Sequence, residues 1–283
     1  MKEAESQNPS AGALLALAEN ALEGIVDDAR REARLLLRLA SGVADTVLLA
    51  FPERTFPLET VSHFQAMLLR RQAGEPLAHI TGEREFWSLP LSVTADTLIP
   101  RPDTELLVSS VLECLPGHEQ RLVDLGTGSG AIALALASER PQWQVSAIDR
   151  SEAALAVARR NGHRLGLNVE WLQGDWLAPV AGRRFHLIVS NPPYIPDQDP
   201  HLGRGDVRFE PREALAAGHD GLDAIRRIAQ DSPACLEPGG FLLFEHGHDQ
   251  GAAVRRLLHA AGFQGVRTRR DLAGHERVTL GQR

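Results

Sequence analysis

Lysine is nearly missing from this sequence: Lys2 stands alone, and arginine carries the rest of the positive charge. With 30 basic against 37 acidic residues the formal net charge is −7. The first 80 residues hold 8 basic and 11 acidic residues, and the remainder 22 and 26. Neither part is basic, so a broad surface for gripping a phosphate backbone is disfavoured. The arginine preference itself reads as a compositional bias rather than as chemistry. Cysteine is scarce too. Cys114 and Cys235 are the only two; without metal-ligand spacing they read as free thiols of a reducing cytosol. No apolar run exceeds "AIALALA" at 131–137, far short of a membrane span. The polar start "MKEAESQNPSAG" lacks the basic-then-apolar pattern of a secretory signal. The expectation is a cytoplasmic protein without a membrane partner.

What is present suits a folded core. Hydrophobic residues make up 43% and charged residues 24% of 283 positions, enough for one large domain or two modest ones. Residues 1–77 read as a small helical bundle. "ALLALAENALEG" and "DDARREARLLLRLASG" carry apolar residues at helical spacing and stop at Gly24 and Gly42. "ETVSHFQAMLLRRQAG" repeats the plan, with basic residues in its last turn and Gly74 after it. The breaker-rich stretch 78–103 predicts a connecting hairpin around Trp87 and Val93. From 104 to 283 helix and strand patterns alternate. Strands are expected at "RLVDLG", "QVSAID", "NVEWLQ", "FHLIVS" and "GFLLFEHG", with "GVRTRRD" and "ERVTLG" closing as an antiparallel pair. Such alternation predicts an α/β fold, a doubly wound and mainly parallel sheet with helices on both faces.

Ligands of such sheets bind at the carboxyl ends of the strands, where the winding reverses. Three strand-end loops carry unusual residues. In "DLGTGSG" the run Gly126, Thr127, Gly128, Ser129, Gly130 gives a G-x-G-x-G turn that lets a ligand approach the backbone. It departs from the G-x-G-x-x-G of pyrophosphate-binding enzymes; the plainer reading is a tight strand-to-helix turn. Asp149 ends the next strand in "AIDRSE". There it can accept hydrogen bonds from ribose hydroxyls and repel a 2′-phosphate, or else cap a helix, although Ser151 suits that role better. In "QGDWLAP", Asp175 and Trp176 offer an acceptor for an adenine amino group and a flat ring to cover its face. The alternative for Trp176 is ordinary packing. Together the loops describe an adenosine pocket without a phosphate site, which points to S-adenosylmethionine and its product S-adenosylhomocysteine.

The fourth strand ends in "SNPPYIP". Asn191 offers a side-chain carbonyl, and Pro192 a backbone carbonyl released from the strand because Pro193 cannot extend it. Two converging acceptors can hold both hydrogens of a planar –NH₂ group and turn its lone pair out of conjugation. Tyr194, the only tyrosine, supplies a face on which a planar amide or base can stack. A proline-rich turn closing a strand is the bland alternative.

These motifs are specific. "NPPY" with "DLGTGSG" resembles the amino-methyltransferases of the Rossmann-like class. The fuller set "HITGEREFW", "TLIPRPDTE", "SNPPYIP", "VRFEP", "FLLFEHG" and "ERVTLG" resembles the HemK/PrmC family, the peptide chain release factor glutamine methyltransferases. The resemblance implies a class I S-adenosylmethionine-dependent fold with a seven-stranded, mainly parallel sheet and a helical N-terminal domain for substrate docking. It implies methylation of the side-chain amide of the glutamine in a Gly-Gly-Gln loop of release factors, in translation termination. Donor contacts are expected at Gly126 to Gly130, Asp149, Asp175, Trp176 and Asn191, and substrate contacts at Asn191, Pro192, Pro193 and Tyr194.

Other residues carry weaker signals. Arg101, Asp103 and Glu105 either cap a helix and pair at the surface or form a flap beside the donor. Glu210 and Pro211 of "VRFEP" either touch substrate or fix a loop. His246 and His248 lack a third ligand, so no metal is expected. Two other classes of function fit parts of the pattern. A DNA or RNA amino-methyltransferase would present an exocyclic base amine to the same acceptors, against the acidic balance. A nucleotide-binding module without catalysis would not require Asn191 where it stands.

Overall fold

A computed structural model describes residues 8–115, 117 and 119–283. The first seven residues of the polar start lie outside these. The chain divides into two compact units, Met1–Thr81 and Gly82–Arg283.

The first unit is helical: α1 (Ala11–Leu22), α2 (Ala29–Ser41), α3 (Asp45–Ala50), α4 (Leu58–Gln72) and α5 (Leu77–Thr81). The three long helices are those the periodicity predicts. Ser10 caps α1 by accepting from the Ala13 N–H, and Asp28 caps α2 by accepting from Arg31. Gly42 ends α2 in the left-handed conformation. Helices α3 and α5 escape sequence reading because six and five residues are too few to show a period. Leu14, Ala18 and Leu22 sit one turn apart on α1 and bury against Leu36, Leu37, Phe64 and Leu68. Each such leucine contributes about 1.5–3 kcal/mol.

The second unit opens with an antiparallel hairpin, β1 (Glu83–Phe86) and β2 (Leu89–Ser92). Its two-residue turn is Trp87–Ser88, both at positive φ, the twist a tight hairpin requires. Glu105 holds the turn by accepting from the Trp87 N–H at 3.0 Å, and Glu139 accepts from the indole at 2.8 Å. Then come α6 (Glu105–Cys114), β3 (Arg121–Leu125), α7 (Ala131–Glu139), β4 (Gln144–Asp149), α8 (Glu152–Leu165), β5 (Glu170–Gln173) and β6 (Phe185–Ser190). The chain closes with α9 (Asp223–Cys235), β7 (Leu236–Glu245), α10 (Gly251–Ala260), β8 (Gln264–Arg270) and β9 (Glu276–Gln282). The seven strands lie in the order β5-β4-β3-β6-β7-β9-β8. The first five are parallel, and β9 and β8 are antiparallel, the class I methyltransferase arrangement. After β5 the chain returns to pair β6 beside β3, so the winding reverses there. Three short 3-10 turns between β6 and α9 (Pro200–Gly203, Gly205–Phe209, Arg212–Ala214) carry no sequence signal.

Alternation along the strands sorts residues to two cores. Leu122, Leu187, Val189 and Leu243 face α6 and α7, while Val123, Leu125, Ile188, Leu242 and Phe244 face α9 and α10. Parity therefore sends Asp124, Asn191 and Glu245 to the α6 side. A buried amide adds to the Glu105 and Glu139 ties between the hairpin and the sheet's helices. Asn161 of α8 accepts from the Ser92 N–H at 2.8 Å and donates to the carbonyls of Ser92 at 3.0 Å and Ser129 at 2.9 Å. Asn161→Ala strands three backbone groups in the interior. Urea unfolding should show a loss of about 2–4 kcal/mol; a change below about 0.5 kcal/mol would show that the amide bears no such burden.

Candidate active site

The loop after β3 is shaped by three glycines at positive φ, Gly126, Gly128 and Gly130. The Gly126 and Thr127 N–H groups donate to the Ile148 carbonyl of β4 at 2.8 and 3.0 Å. A Cβ on Gly130 would stand 3.1–3.2 Å from Leu134, Trp171 and Ala158, so helix α7 packs this closely only on glycine. Asp149, at the end of β4, accepts from the Gly128 N–H and the Ser151 N–H, each at 2.9 Å. Ser151 caps α8 through the Ala154 N–H at 3.2 Å. The capping role thus belongs to Ser151, and the Asp149 carboxylate is held rigidly at the strand end. Trp176 adopts φ 47°, unusual for a bulky residue. Its ring lies against Gly126, 3.4 Å from where a Cβ would be.

These elements surround a cleft of about 530 Å³. Gly126, Gly128, Asp149, Asp175, Trp176, Asn191 and Pro193 line it. Thr127, Ser129 and Gly130 do not line it. Thr127 and Ser129 are buried; the Thr127 hydroxyl donates to Asp124 at 2.6 Å and the Ser129 carbonyl accepts from Asn161. Their work is to hold the loop's shape. The charged lining is one-sided: Asp96, Asp149, Asp175, Glu213 and Asp223 against Arg150 alone, and Arg150 pairs with Glu213 at 2.6 Å. Such a wall suits a cationic ligand and opposes a pyrophosphate. An adenosine-bearing sulfonium therefore fits the charge of this lining.

Beside the cleft lies a smaller cavity of about 140 Å³, lined by Asn191, Pro192 and Tyr194 with Leu98, Arg101 and Ile195. Asn191 lines both spaces. Strand β6 ends at Ser190, whose hydroxyl donates to the Leu125 carbonyl of β3 at 2.7 Å. The next residue therefore emerges beside the glycine loop. The Asn191 side-chain N–H donates to the Thr104 hydroxyl at 3.2 Å, and the amide plane then directs Oδ1 away from Thr104. Behind the motif, the Tyr194 carbonyl accepts from Gln250 at 2.9 Å. A Cβ at Gly221 would stand 2.2 Å from that carbonyl, so the chain passes here only on glycine. Burial, followed by the charge of Glu245, pushes the Tyr194 phenol upward, keeping it neutral.

Two buried carboxyls lie in the strands beside the site, outside the motifs' expected contact residues. Asp124 in β3 is fully buried. Desolvation raises it to about 7 against the Thr127 hydroxyl and the Ala133 N–H, which lower it. Its Oδ1 has no partner among the described residues. Glu245, the last residue of β7, is likewise raised to about 7 by burial, against hydrogen bonding from Thr104 and Asn191 and the charge of Arg277. The only signal in sequence was an acid inside an otherwise apolar strand, in "RLVDLG" and "FLLFEHG".

The charged run "RPDTE" fastens this region. Arg101 pairs with the buried Glu210, which also accepts from the Ile99 N–H at 3.0 Å. Asp103 pairs with Arg277 at 3.3 Å, and Glu105 takes the hairpin turn. Glu210 thus fixes a loop. His246 is a core histidine: Nδ1 lies 2.8 Å from the Gly247 carbonyl and Nε2 2.7 Å from the Thr279 hydroxyl, and burial lowers its pKa. Among the described residues no three His, Cys, Asp or Glu side chains are grouped to hold a metal, and no helix is long and apolar enough to cross a membrane.

Residues 13–82 match the family model "PrmC N-terminal domain" and residues 102–203 the model "Methyltransferase small domain". The release factor glutamine methyltransferase of Pseudomonas aeruginosa is 56% identical over 255 residues, covering 90% of this chain and 92% of that protein. That of Escherichia coli (strain K12) is 52% identical over 254 residues, covering 89% and 92%. A solved methyltransferase structure from Pyrococcus furiosus is similar with a TM-score of 0.53 at 20% identity, covering 78% of this chain and 98% of that one. That likeness is one of fold.

The buried carboxyls make stability depend on pH in a stated direction. An acid raised in the folded state stays protonated there while the unfolded chain ionises, so stability falls as pH rises from about 5 towards 7. Each carboxyl contributes on the order of 1 kcal/mol per pH unit. His246, lowered by burial, acts oppositely, so the test is a difference. Urea unfolding of Asp124→Asn and of Glu245→Gln should each show a slope less negative than the parent's over this window. Parallel slopes would place both carboxylates ionised in the folded protein.

Proposed function

The chain belongs to the release factor glutamine methyltransferases, and from that premise we propose that its acceptor is the glutamine of the Gly-Gly-Gln loop of a peptide chain release factor. The enzyme uses S-adenosylmethionine as methyl donor and methylates a side-chain amide nitrogen. The observation that carries the residue-level reading is Asn191, shared between a donor-sized cleft and a narrow slot beside it.

When bound, the donor presents an electrophilic methyl group on a sulfonium sulfur. Asp149 receives the ribose hydroxyls, and Asp175 and Trp176 the adenine. Gly126 and Gly128 leave room along the chain leading to the sulfur. In the slot, Asn191 Oδ1 and the Pro192 carbonyl accept the two N–H bonds of the acceptor amide. Pro193 lines the cleft beside the slot, and the Tyr194 ring covers the amide face. Held this way, the nitrogen lone pair is turned out of conjugation and aimed at the cleft. No base is required before attack, since the nitrogen sheds its proton to solvent afterwards. An amide on a loop flanked by glycines can enter such a slot, whereas a buried side chain cannot.

The helical unit is proposed as the docking surface for the protein substrate. Among its described residues seven large apolar side chains stand exposed, Leu58, Leu69 and Phe51 most of all, and such a surface is suited to a protein partner. Stable nucleic-acid binding is not part of the proposal. Cys114 and Cys235 are free thiols, and the reaction is assigned to the cytoplasm.

Two variants separate binding from chemistry. Asp149→Ala should weaken S-adenosylmethionine binding by calorimetry, by about 1.5–3 kcal/mol for each ribose bond lost. Unchanged affinity would overturn the role of Asp149. Asn191→Ala should instead reduce turnover about 10²–10³-fold with donor affinity preserved. For the acceptor, labelled donor is offered with intact release factor, its Gln-to-Ala variant, the isolated loop peptide and duplex DNA. Label should enter only the first strongly, because ordering a free peptide costs about 1–2 kcal/mol per residue. Label that survives loss of the glutamine, or accumulates in DNA, would contradict the proposal.

A further inference from the structure

An amide has two polar ends. Under the function proposed above, Asn191 Oδ1 and the Pro192 carbonyl receive the –NH₂ hydrogens of the acceptor, and its carbonyl oxygen is left without a partner. A carbonyl drawn from water into a narrow slot needs a donor there, or its burial costs binding. It needs holding for a second reason. Resonance keeps an amide planar, so a grip on the –NH₂ hydrogens alone turns the whole group as one body. Moving the lone pair out of conjugation requires that the two ends be held separately about the C–N bond.

The slot offers few donors. Much of its wall is apolar, made by Leu98, Ile195, Val207, Ala214 and Leu215. The backbone N–H groups of Ile195, Ala214 and Leu215 are spent on the carbonyls of Leu215, Pro211 and Arg212, and Pro192 has none. One Asn191 side-chain N–H is engaged by Thr104, and Tyr194 is assigned the face of the amide. The strong donor in the wall is Arg101. A guanidinium carries five N–H donors, and the only side-chain hydrogen bond of Arg101 among the described residues goes to Glu210. The Arg101 side chain is 35% exposed while that of Glu210 is fully buried. Glu210 does not line the slot and is itself fixed by the Ile99 N–H at 3.0 Å. The pair therefore presents a cation to the slot and keeps its counter-ion out of it. That counter-ion also balances the charge, so the arginine does not repel a sulfonium in the adjoining cleft.

We propose that Arg101 is a substrate-binding residue whose guanidinium donates to the carbonyl oxygen of the acceptor amide while Asn191 and Pro192 hold the nitrogen. This rests on the reading of the slot as the acceptor's site. The slot then recognises an amide by both of its ends. A lysine ammonium would meet a like charge at Arg101, and a glutamate carboxylate would offer no hydrogen to the Asn191 and Pro192 carbonyls.

The test uses full-length protein, saturating S-adenosylmethionine and intact release factor. It compares Arg101→Met, Arg101→Lys, the double variant Arg101→Met with Glu210→Gln, and Asn191→Ala with the parent. In Arg101→Met, kcat should fall about 10²-fold, with donor Kd within about threefold of the parent's. The double variant separates contact with substrate from support of the loop. Its glutamine keeps a carbonyl for the Ile99 N–H and needs no cation, so melting should recover while turnover stays low. In Arg101→Lys, kcat should fall about tenfold or more, because one nitrogen cannot serve the carboxylate and the amide as separate guanidinium nitrogens do. Turnover of Arg101→Met within about threefold of the parent's would refute the proposal. So would recovery of turnover in the double variant, which would make Arg101 no more than the counter-ion of Glu210. In either case an inactive Asn191→Ala leaves the grip on the nitrogen standing, whereas normal turnover by Asn191→Ala would overturn the slot reading itself. If Arg101→Met does not fold, Arg101→Lys decides, and parental turnover there would refute the contact.

Discussion

A single hydrogen bond, Asn191 Nδ2 to Thr104 Oγ1 at 3.2 Å, ties the strand end that lines both cavities to the segment ahead of α6. Everything around it serves to keep its two ends in place. Asn191 emerges where β6 stops, and β6 is anchored to β3 through Ser190 and Leu125. Thr104 sits at the start of α6, in a segment tied on every side: Arg101 to Glu210, Asp103 to Arg277 and Glu105 to the hairpin turn. Ion pairs at a surface are worth little individually. Here the buried Glu210 and the Ile99 N–H make the attachment a partly desolvated one, and its product is precision of placement rather than stability.

The same economy of polar groups governs the donor side. The cleft wall carries five carboxylates against one arginine, so its field favours a sulfonium and disfavours a pyrophosphate. Asp149 does not swing freely within it, because two backbone N–H groups hold it. A carboxylate held in this way costs a ligand little to order. Two further carboxyls, Asp124 and Glu245, lie fully inside the sheet's edge at these loops, where burial alone argues against them. Local rules of packing are broken here, beside the site.

Much of this was legible from sequence because it depends on neighbours in the chain. Strand–helix alternation gave the parallel sheet, Ser151 its cap, and Pro192–Pro193 the abrupt end of β6. The motif "NPPY" was readable because its chemistry lies in consecutive residues. Illegible were the contacts that folding brings from afar. Thr104 and Asn191 are 87 positions apart, Ile99 and Glu210 are 111 apart, and Asn161 reaches Ser92 across 69. Nor can spacing tell which side a loop residue faces. Thr127 and Ser129 belong to the glycine run, yet they point inward to Asp124 and α8, while Gly126 and Gly128 face the cleft. Helices α3 and α5 are held by tertiary contacts, which a short stretch of sequence does not record.

The account turns on which atom of the Asn191 amide faces the acceptor nitrogen. The direct measurement is a neutron or atomic-resolution crystal structure of the enzyme with S-adenosylhomocysteine and a release factor carrying the unmethylated glutamine. It should show Asn191 Oδ1 about 2.7–3.2 Å from the glutamine nitrogen, with one Asn191 amide hydrogen on Thr104. Amide hydrogens pointing into the slot, or a glutamine nitrogen beyond hydrogen-bond reach of Asn191, would contradict the account.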